Sequence, residues 1–178
     1  MFELDEVKIG IIGLGYVGLP LAIEFSKYFP TQGFDTDAKR IHELERGIDQ
    51  TGELSEKDIK SAKQLHVHHE EDALSQCNVY IVAVPTPVNE HKWPDLKPLR
   101  DASRLIGRLI SKGDVVIYES TVYPGATEEV CIPILELESG LGVNTGFYVG
   151  YSPERINPGD ATNKLSTIKK LVSGSTDE

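Results

Sequence analysis

A glycine-rich segment near the N-terminus carries the first residues whose spacing indicates a specific chemistry. Gly13, Gly15 and Gly18 form the pattern G-x-G-x-x-G, directly after an apolar run and before a segment with helical periodicity. In such a turn the first glycine allows a tight bend, the second lets the backbone approach a pyrophosphate, and the third allows helix and strand to pack closely. The start of the helix adds amide donors for the anion. The segment therefore predicts a site for a dinucleotide diphosphate.

An acidic residue follows near the end of the next predicted strand, where a dinucleotide needs a ribose ligand. Asp35 follows the apolar Phe34 and is predicted to lie at the strand tip, whereas Asp37 is better placed to cap the next helix. A carboxylate at the tip favours NAD over NADP, because it accepts hydrogen bonds from both ribose hydroxyls and repels a 2′-phosphate. Lys39 and Arg40 leave two interpretations open: a solvated first helical turn, or an Arg40 that lies along the cofactor.

Three further loops follow predicted strands and offer polar side chains. The turn after the fourth strand presents the hydroxyl of Thr86 between two prolines. The loop after the fifth strand contains Ser120 and Thr121, which either face the crevice or cap the next helix. The loop after the sixth strand places Glu154 beside Arg155, either as site groups or as a surface ion pair. Ligands of open α/β sheets bind beyond the carboxyl ends of the strands, so these loops are the next candidates.

The elements that must position these residues alternate regularly along the chain. Strands are predicted over 8–14, 31–35, 65–69, 78–84, 114–119 and 147–151, and a short run at 170–173 is compatible with a last strand. Helices are predicted over 19–28, 37–47, 99–110 and 128–138, and residues 49–63 fit either a helix or a loop over the sheet edge. This alternation predicts a single α/β domain, a Rossmann-like, doubly wound, mainly parallel sheet with helices on both faces.

The composition excludes several other classes of protein. The 178 residues are 39% apolar and 26% charged, which is near the globular average, and no apolar stretch approaches the about 18–20 residues of a membrane span. The net charge of -10 opposes binding to nucleic acid or to an anionic membrane. An acidic N-terminus, with Cys77 and Cys131 far apart, predicts a reducing, cytoplasmic location. His66, His68 and His69 resemble a metal cluster, but their strand is remote from the crevice and we predict no metal.

Five sequence blocks occur in an order that resembles one family. They are the glycine segment from Lys8 to Ala22, Gly33-Phe34-Asp35, Val84-Pro85-Thr86-Pro87, Glu119-Ser120-Thr121 and Ser152-Pro153-Glu154-Arg155. Together they closely resemble the N-terminal, NAD-binding domain of the UDP-glucose/GDP-mannose dehydrogenases over essentially the whole chain. The segment from Pro153 to Asp160 is most similar to the UDP-N-acetylhexosamine 6-dehydrogenase branch, which includes the enzymes of Vi polysaccharide and O-antigen biosynthesis.

The resemblance implies an NAD-dependent, four-electron oxidation of the C6 hydroxyl of a UDP-sugar to a carboxylate, through a thiohemiacetal and a thioester on a cysteine. The product would be a uronic acid for a surface polysaccharide such as a capsule, and the full-length protein would be a homodimer. The residues implied to bind the cofactor are Gly13, Gly15, Tyr16, Val17, Gly18, Asp35, Arg40, Thr86, Ser120 and Thr121. Glu154 is implied to act with Thr121 on the attacking water as a general base, and Arg155 and Ile156 to touch the nucleotide sugar.

The chain departs from the family pattern in one respect. Family members continue through a central helix into a second α/β domain that carries the catalytic cysteine, whereas this sequence ends at Glu178 and neither of its cysteines matches that cysteine block. We therefore expect residues 1–178 to be a cofactor domain that does not turn over alone. Two alternatives remain open, a UDP-glucose 6-dehydrogenase and a non-catalytic NAD-binding module. A short-acid dehydrogenase of the 6-phosphogluconate or 3-hydroxyacid type would leave the Pro153-Glu154-Arg155 block unexplained.

Overall fold

One sheet organises the part of the chain that the structure describes. The computed structural model describes residues 3–88, 90–91, 93–154 and 169–177. The strands are β1 (Ile9–Ile12), β2 (Thr31–Phe34), β3 (Leu65–His68), β4 (Val79–Val82), β5 (Val115–Tyr118), β6 (Tyr148–Tyr151) and β7 (Ser173–Gly174). Their order is β3-β2-β1-β4-β5-β6-β7, with the first six parallel and β7 antiparallel to β6. The predicted doubly wound, mainly parallel sheet is confirmed.

Five α-helices accompany the strands within the described ranges. They are α1 (Gly18–Phe25), α2 (Ala38–Glu45), α3 (Glu56–Ser61), α4 (Lys97–Gly107) and α5 (Ile132–Ser139). Short 3₁₀ turns occur at Leu4–Glu6 and Glu71–Gln76, and a π-helical turn over Thr127–Cys131 runs into α5. Among these described helices, none is long and apolar enough to cross a membrane.

The structure settles one ambiguous segment and shifts one predicted strand. The ambiguous segment 49–63 contains a short helix, α3, whose start is fixed by a reciprocal cap: the amide of Asp58 donates to the Ser55 hydroxyl, and the amide of Ser55 donates to the Asp58 carboxylate. The last strand begins at Ser173 rather than at residue 170, because its pairing partners are Gly150 and Tyr151 on β6.

The two faces of the sheet carry separate apolar clusters, because successive strand residues point to opposite faces. On one face, Ile9 and Ile11 of β1 join Leu19 of α1 and Ile41 of α2. The opposite face carries a cluster that packs against α4 and α5, with members that include Ile12, Tyr80, Leu99, Ile106 and Leu135. β1 lies between β2 and β4, so the strand order reverses there and leaves a crevice at the carboxyl edge of the sheet.

Candidate functional site

The turn between β1 and α1 places three glycines under different constraints. Gly13 has a φ of +93°, and a Cβ there would lie 2.8 Å from the carbonyl oxygen of Ala83. A Cβ on Gly18 would collide with the carbonyl oxygen of Gly13, because the start of α1 packs directly on the turn. Apart from its two chain neighbours, no described residue has an atom within 4 Å of a Cβ built on Gly15. The turn therefore has no room for a side chain at Gly13 or Gly18. It is open at Gly15, where a diphosphate would approach the helix.

The two acids near the end of β2 take different roles. Asp35 accepts hydrogen bonds from the backbone amides of Leu14, at 2.9 Å, and of Asp37, at 3.0 Å. The side chain of Asp37 accepts from the amide of Lys39 at 2.9 Å and is the N-cap of α2. The prediction that Asp37 caps the helix is confirmed, and Asp35 is the acid that faces the crevice.

A cavity of about 660 Å³ opens at this edge of the sheet. Its volume falls within the range of cofactor and ligand sites, about 300–1,000 Å³. The predicted site residues that line it are Gly13, Gly15, Tyr16, Val17, Asp35, Thr86, Ser120, Thr121 and Glu154. Residues from five separate sequence blocks thus meet in one crevice.

The walls of the cavity match the chemical parts of a dinucleotide. Val84, Ala102 and Leu105 supply an apolar surface for a flat base. Asp35 supplies an acceptor for ribose hydroxyls, and the first turn of α1 beside Gly15 supplies amide donors for a diphosphate. These residues fit NAD.

The loops after β4 and β5 are joined by side-chain hydroxyls. The hydroxyl of Thr86 donates to the backbone carbonyl of Thr121 at 2.6 Å, and the hydroxyl of Ser120 donates to the carbonyl of Val84 at 2.7 Å. Ser120 is buried, whereas Thr121 is exposed to the cavity. The two bonds hold the loops at a fixed spacing, so their first role is to position the cavity wall.

An ion pair with a buried carboxylate, which no sequence pattern predicts, lies beside these loops. Glu119, at the end of β5, lines the cavity and accepts a hydrogen bond from the ammonium group of Lys170. Burial raises the pKa of Glu119, the contact with Lys170 offsets part of that rise, and the nearby Glu154 adds to it. The partners lie 51 residues apart in sequence, and no local pattern connects them.

Arg40 is buried, so the interpretation of this residue as part of a solvated helical turn is wrong. Its Nε donates to the carbonyl of Leu14 at 2.9 Å, and its Nη2 bonds Oδ1 of Asp49 at 2.8 Å. Arg40 is not among the described residues that line the cavity, and its contact with the cofactor stays a prediction. Arg155 and Ile156, predicted to touch the sugar, lie outside the described residues.

Neither cysteine of the chain is placed as a nucleophile. Burial raises the pKa of the Cys77 thiol to about 12 and that of Cys131 to about 11, so both stay protonated at neutral pH. The ring nitrogen Nε2 of His68 lies 2.8 Å from the side-chain oxygen of Gln32. Within the described ranges, no group of three or more His, Cys, Asp or Glu side chains is placed to hold a metal ion.

Comparisons with known proteins agree with this geometry. The chain is 56% identical to the UDP-N-acetyl-D-glucosamine 6-dehydrogenase of Salmonella typhi, over 99% of this chain and 41% of the relative. It is 55% identical to the protein of the same name from Pseudomonas aeruginosa, over 98% of this chain and 42% of the relative. The structure of a UDP-D-ManNAc dehydrogenase from Pyrococcus horikoshii superposes with a TM-score of 0.86 at 33% identity, covering 94% of this chain and 41% of that one.

The chain thus spans about two fifths of the length of these relatives. Residues 7–178 match the sequence pattern described as the NAD binding domain of the UDP-glucose/GDP-mannose dehydrogenase family. That match covers nearly the whole chain and the crevice described above. The chain therefore belongs to the UDP-glucose/GDP-mannose dehydrogenase family, of which it forms the NAD-binding domain.

Proposed function

We propose that the whole protein is an NAD-dependent UDP-N-acetylhexosamine 6-dehydrogenase and that residues 1–178 are its cofactor domain. The observation that carries the proposal is that the glycine turn and Asp35 meet Thr121 and Glu154 in one cavity. Two relatives named UDP-N-acetyl-D-glucosamine 6-dehydrogenase, each more than half identical to this chain, support the choice of sugar. The reaction is RCH₂OH + 2 NAD⁺ + H₂O → RCOO⁻ + 2 NADH + 3 H⁺.

The β1–β2 side of the cavity would bind the cofactor. Bound NAD supplies the hydride acceptor. Amide groups at Tyr16 and Val17 would hold its diphosphate at the start of α1, and the carboxylate of Asp35 would accept from the ribose hydroxyls. The same carboxylate would repel a 2′-phosphate and so select NAD. Arg40 would act at this end through the glycine turn, to which it is hydrogen-bonded.

The β4–β6 side of the cavity would serve the reacting centre. Thr86, Ser120 and Thr121 would flank the nicotinamide and the sugar C6 atom. Glu154 would act with Thr121 to orient and deprotonate the water that releases the product. Arg155 and Ile156 would contact the nucleotide sugar. The cysteine nucleophile would come from the rest of the whole protein, because burial keeps both thiols of this chain protonated.

The same proposal includes the use of the product, the cellular location and the oligomeric state of the whole protein. The carboxylate product would enter a surface polysaccharide, such as an O-antigen or a capsule. The enzyme would act in the cytoplasm, and the whole protein would form a homodimer. The formal net charge of -10 supports a role without nucleic acid or membrane as partner.

The direct test is steady-state NADH formation by the full-length protein with UDP-N-acetylglucosamine, UDP-N-acetylmannosamine and UDP-glucose in parallel. We expect two NADH per sugar and a preference for an N-acetylated sugar. A preference for UDP-glucose would overturn the substrate assignment. If none of the sugars is oxidised although NAD binds, the protein is a non-catalytic NAD-binding module.

A further inference from the structure

A chain of hydrogen bonds connects the loop between α2 and α3 to the glycine turn. Asp49, in that loop, bonds Nη2 of Arg40 at 2.8 Å, and its side chain is 0% exposed. The Nε of Arg40 in turn donates to the carbonyl oxygen of Leu14 at 2.9 Å. Leu14 lies between the first two glycines of the turn. A buried carboxylate outside the cavity lining is thus linked to the predicted diphosphate site through one guanidinium group.

The Leu14 carbonyl determines the direction of a neighbouring amide. In a trans peptide the C=O and N–H groups point in opposite directions, so the contact with Arg40 fixes the N–H of Gly15 to point away from Arg40. The preceding peptide is fixed separately, because the amide of Leu14 donates to Asp35. Arg40 and Asp35 therefore orient two successive peptides of the turn that lines the cavity.

Asp49 is itself held in one orientation. Besides Arg40, its carboxylate accepts hydrogen bonds from the amide and hydroxyl of Thr51 and from the amide of Leu54. Burial alone would raise the pKa of Asp49, but its hydrogen bonds with Arg40 and Thr51 lower it below the ordinary value. The group therefore stays anionic at neutral pH and presents a fixed acceptor to Arg40.

We propose that Asp49 is a positioning residue for diphosphate binding. It acts through Arg40, which holds the Leu14–Gly15 peptide, and with it the chain that leads into the diphosphate-binding amides of Tyr16 and Val17, in the required orientation before the ligand arrives. The inference rests on NAD binding at the glycine turn. It differs from a general stabilising role in one measurable respect: the diphosphate depends on the oriented peptide, whereas the adenosine portion depends on Asp35 and the apolar wall.

The experiment compares ADP with adenosine, each competing with NAD for the full-length protein. Asp49→Ala is expected to weaken the binding of ADP roughly tenfold, which is the loss of affinity typical of removing a hydrogen bond to a charged group. The affinity for adenosine should change less than about twofold. Asp49→Asn keeps one oxygen acceptor for Arg40 and should recover part of the ADP affinity. Arg40→Lys cannot reach Leu14 and Asp49 together, so it should resemble Asp49→Ala.

Glu56→Gln is the matched control, because it removes one carboxylate of an exposed ion pair with Lys60 in the next helix. It should leave both affinities unchanged. Unchanged ADP affinity in Asp49→Ala, or an equal loss for ADP and adenosine in both Asp49→Ala and Arg40→Lys, would overturn the proposal. Failure of ADP to compete with NAD in the unsubstituted protein would instead overturn the placement of the dinucleotide itself.

Discussion

An ion pair with a buried carboxylate lies beside each side of the cavity, and the two pairs differ in how fully those carboxylates are hydrogen-bonded. On the β1–β2 side, Asp49 accepts bonds from Arg40, Thr51 and Leu54, and its pKa is lowered despite burial. On the β4–β6 side, burial outweighs the contact between Glu119 and Lys170, and the pKa of Glu119 is raised. One side holds a fixed charge, and the other holds a group whose protonation responds to its surroundings.

This difference fits the tasks proposed for the two sides. Binding an anion needs donors whose direction does not change, and on the β1–β2 side the side chains of Asp35 and Arg40 fix two successive peptides. A reacting centre needs groups that exchange protons, and the β4–β6 side places two carboxylates, Glu119 and Glu154, in the same wall. Substitutions on the two sides test this contrast.

The largest effect is expected when a side chain is added to the glycine turn. Gly18→Ala places a methyl group against the Gly13 carbonyl and should destabilise the protein by about 3 kcal/mol or more. Gly15→Ala meets no described atom within 4 Å apart from its two chain neighbours, so stability should change little, while NAD affinity should fall at least roughly tenfold. Urea unfolding and calorimetric titration of NAD separate the two outcomes. Equal stability of both variants would contradict the packing role of Gly18.

The next largest effect is expected from substitutions of the two acidic residues after β2, which should act on different properties. Asp35→Asn should weaken NAD roughly tenfold and reduce the preference over NADP, because the anionic acceptor for the ribose is lost. Asp37→Ala removes the N-cap of α2 and should cost about 1 kcal/mol of stability while NAD affinity is retained. Binding of NAD and NADP to each variant, beside thermal unfolding, provides the comparison. A larger loss of NAD affinity in Asp37→Ala would reverse our assignment.

The two ion pairs should give opposite pH dependences. The native pKa of Asp49 lies below its ordinary value of 3.8, so its stabilising effect is complete above that pH and is lost as pH falls through the native pKa. The free energy of unfolding of Asp49→Asn should therefore differ most from that of the unsubstituted protein at neutral pH. The difference should become smaller as the pH falls.

For Glu119 the native pKa lies above the ordinary value of 4.5, so its contribution to stability falls as pH rises from there through the native pKa. Glu119→Gln cannot ionise and should become more stable relative to the unsubstituted protein over that range. Urea unfolding of both variants from pH 3 to pH 8 measures the two trends. Parallel trends would remove the contrast between the two sides.

The smallest effect concerns the bond between the β4 and β5 loops. Thr86→Val keeps the shape of the side chain and loses the hydrogen bond to Thr121. The free energy of unfolding should fall by less than about 1 kcal/mol. Thr145→Val removes a similar bond, to the carbonyl of Gly142, and is the matched control. Only Thr86→Val should lower the proposed turnover of the full-length protein. Equal turnover in both variants would show that the loop bond does not position the reacting centre.

The fold and the glycine turn could be predicted because their signals are local. The apolar run of β1, the glycines after it and Asp35 lie within one strand–helix–strand unit, where spacing alone fixes geometry. Helix α3 was also predictable in principle, since Ser55 and Asp58 have the spacing of a reciprocal cap. Its few apolar residues left the segment ambiguous.

The buried polar contacts could not be predicted, because each joins residues that only the tertiary fold brings together. Arg40 carries a sequence environment typical of an exposed helical turn, and its burial depends on the loop that contains Asp49. Glu119 meets Lys170, which precedes β7, from 51 residues away in the sequence. Such contacts leave no periodicity in the sequence from which to infer them.

The protonated, buried state of Cys77 and Cys131 gives a chemical route to the missing nucleophile. Alkylating reagents such as iodoacetamide react with accessible thiolates, so neither cysteine should be alkylated in the native protein. Any cysteine of the native full-length protein that is alkylated rapidly, and is protected by a UDP-sugar, would then be a residue other than Cys77 and Cys131. Peptide mass mapping would identify it without mutagenesis.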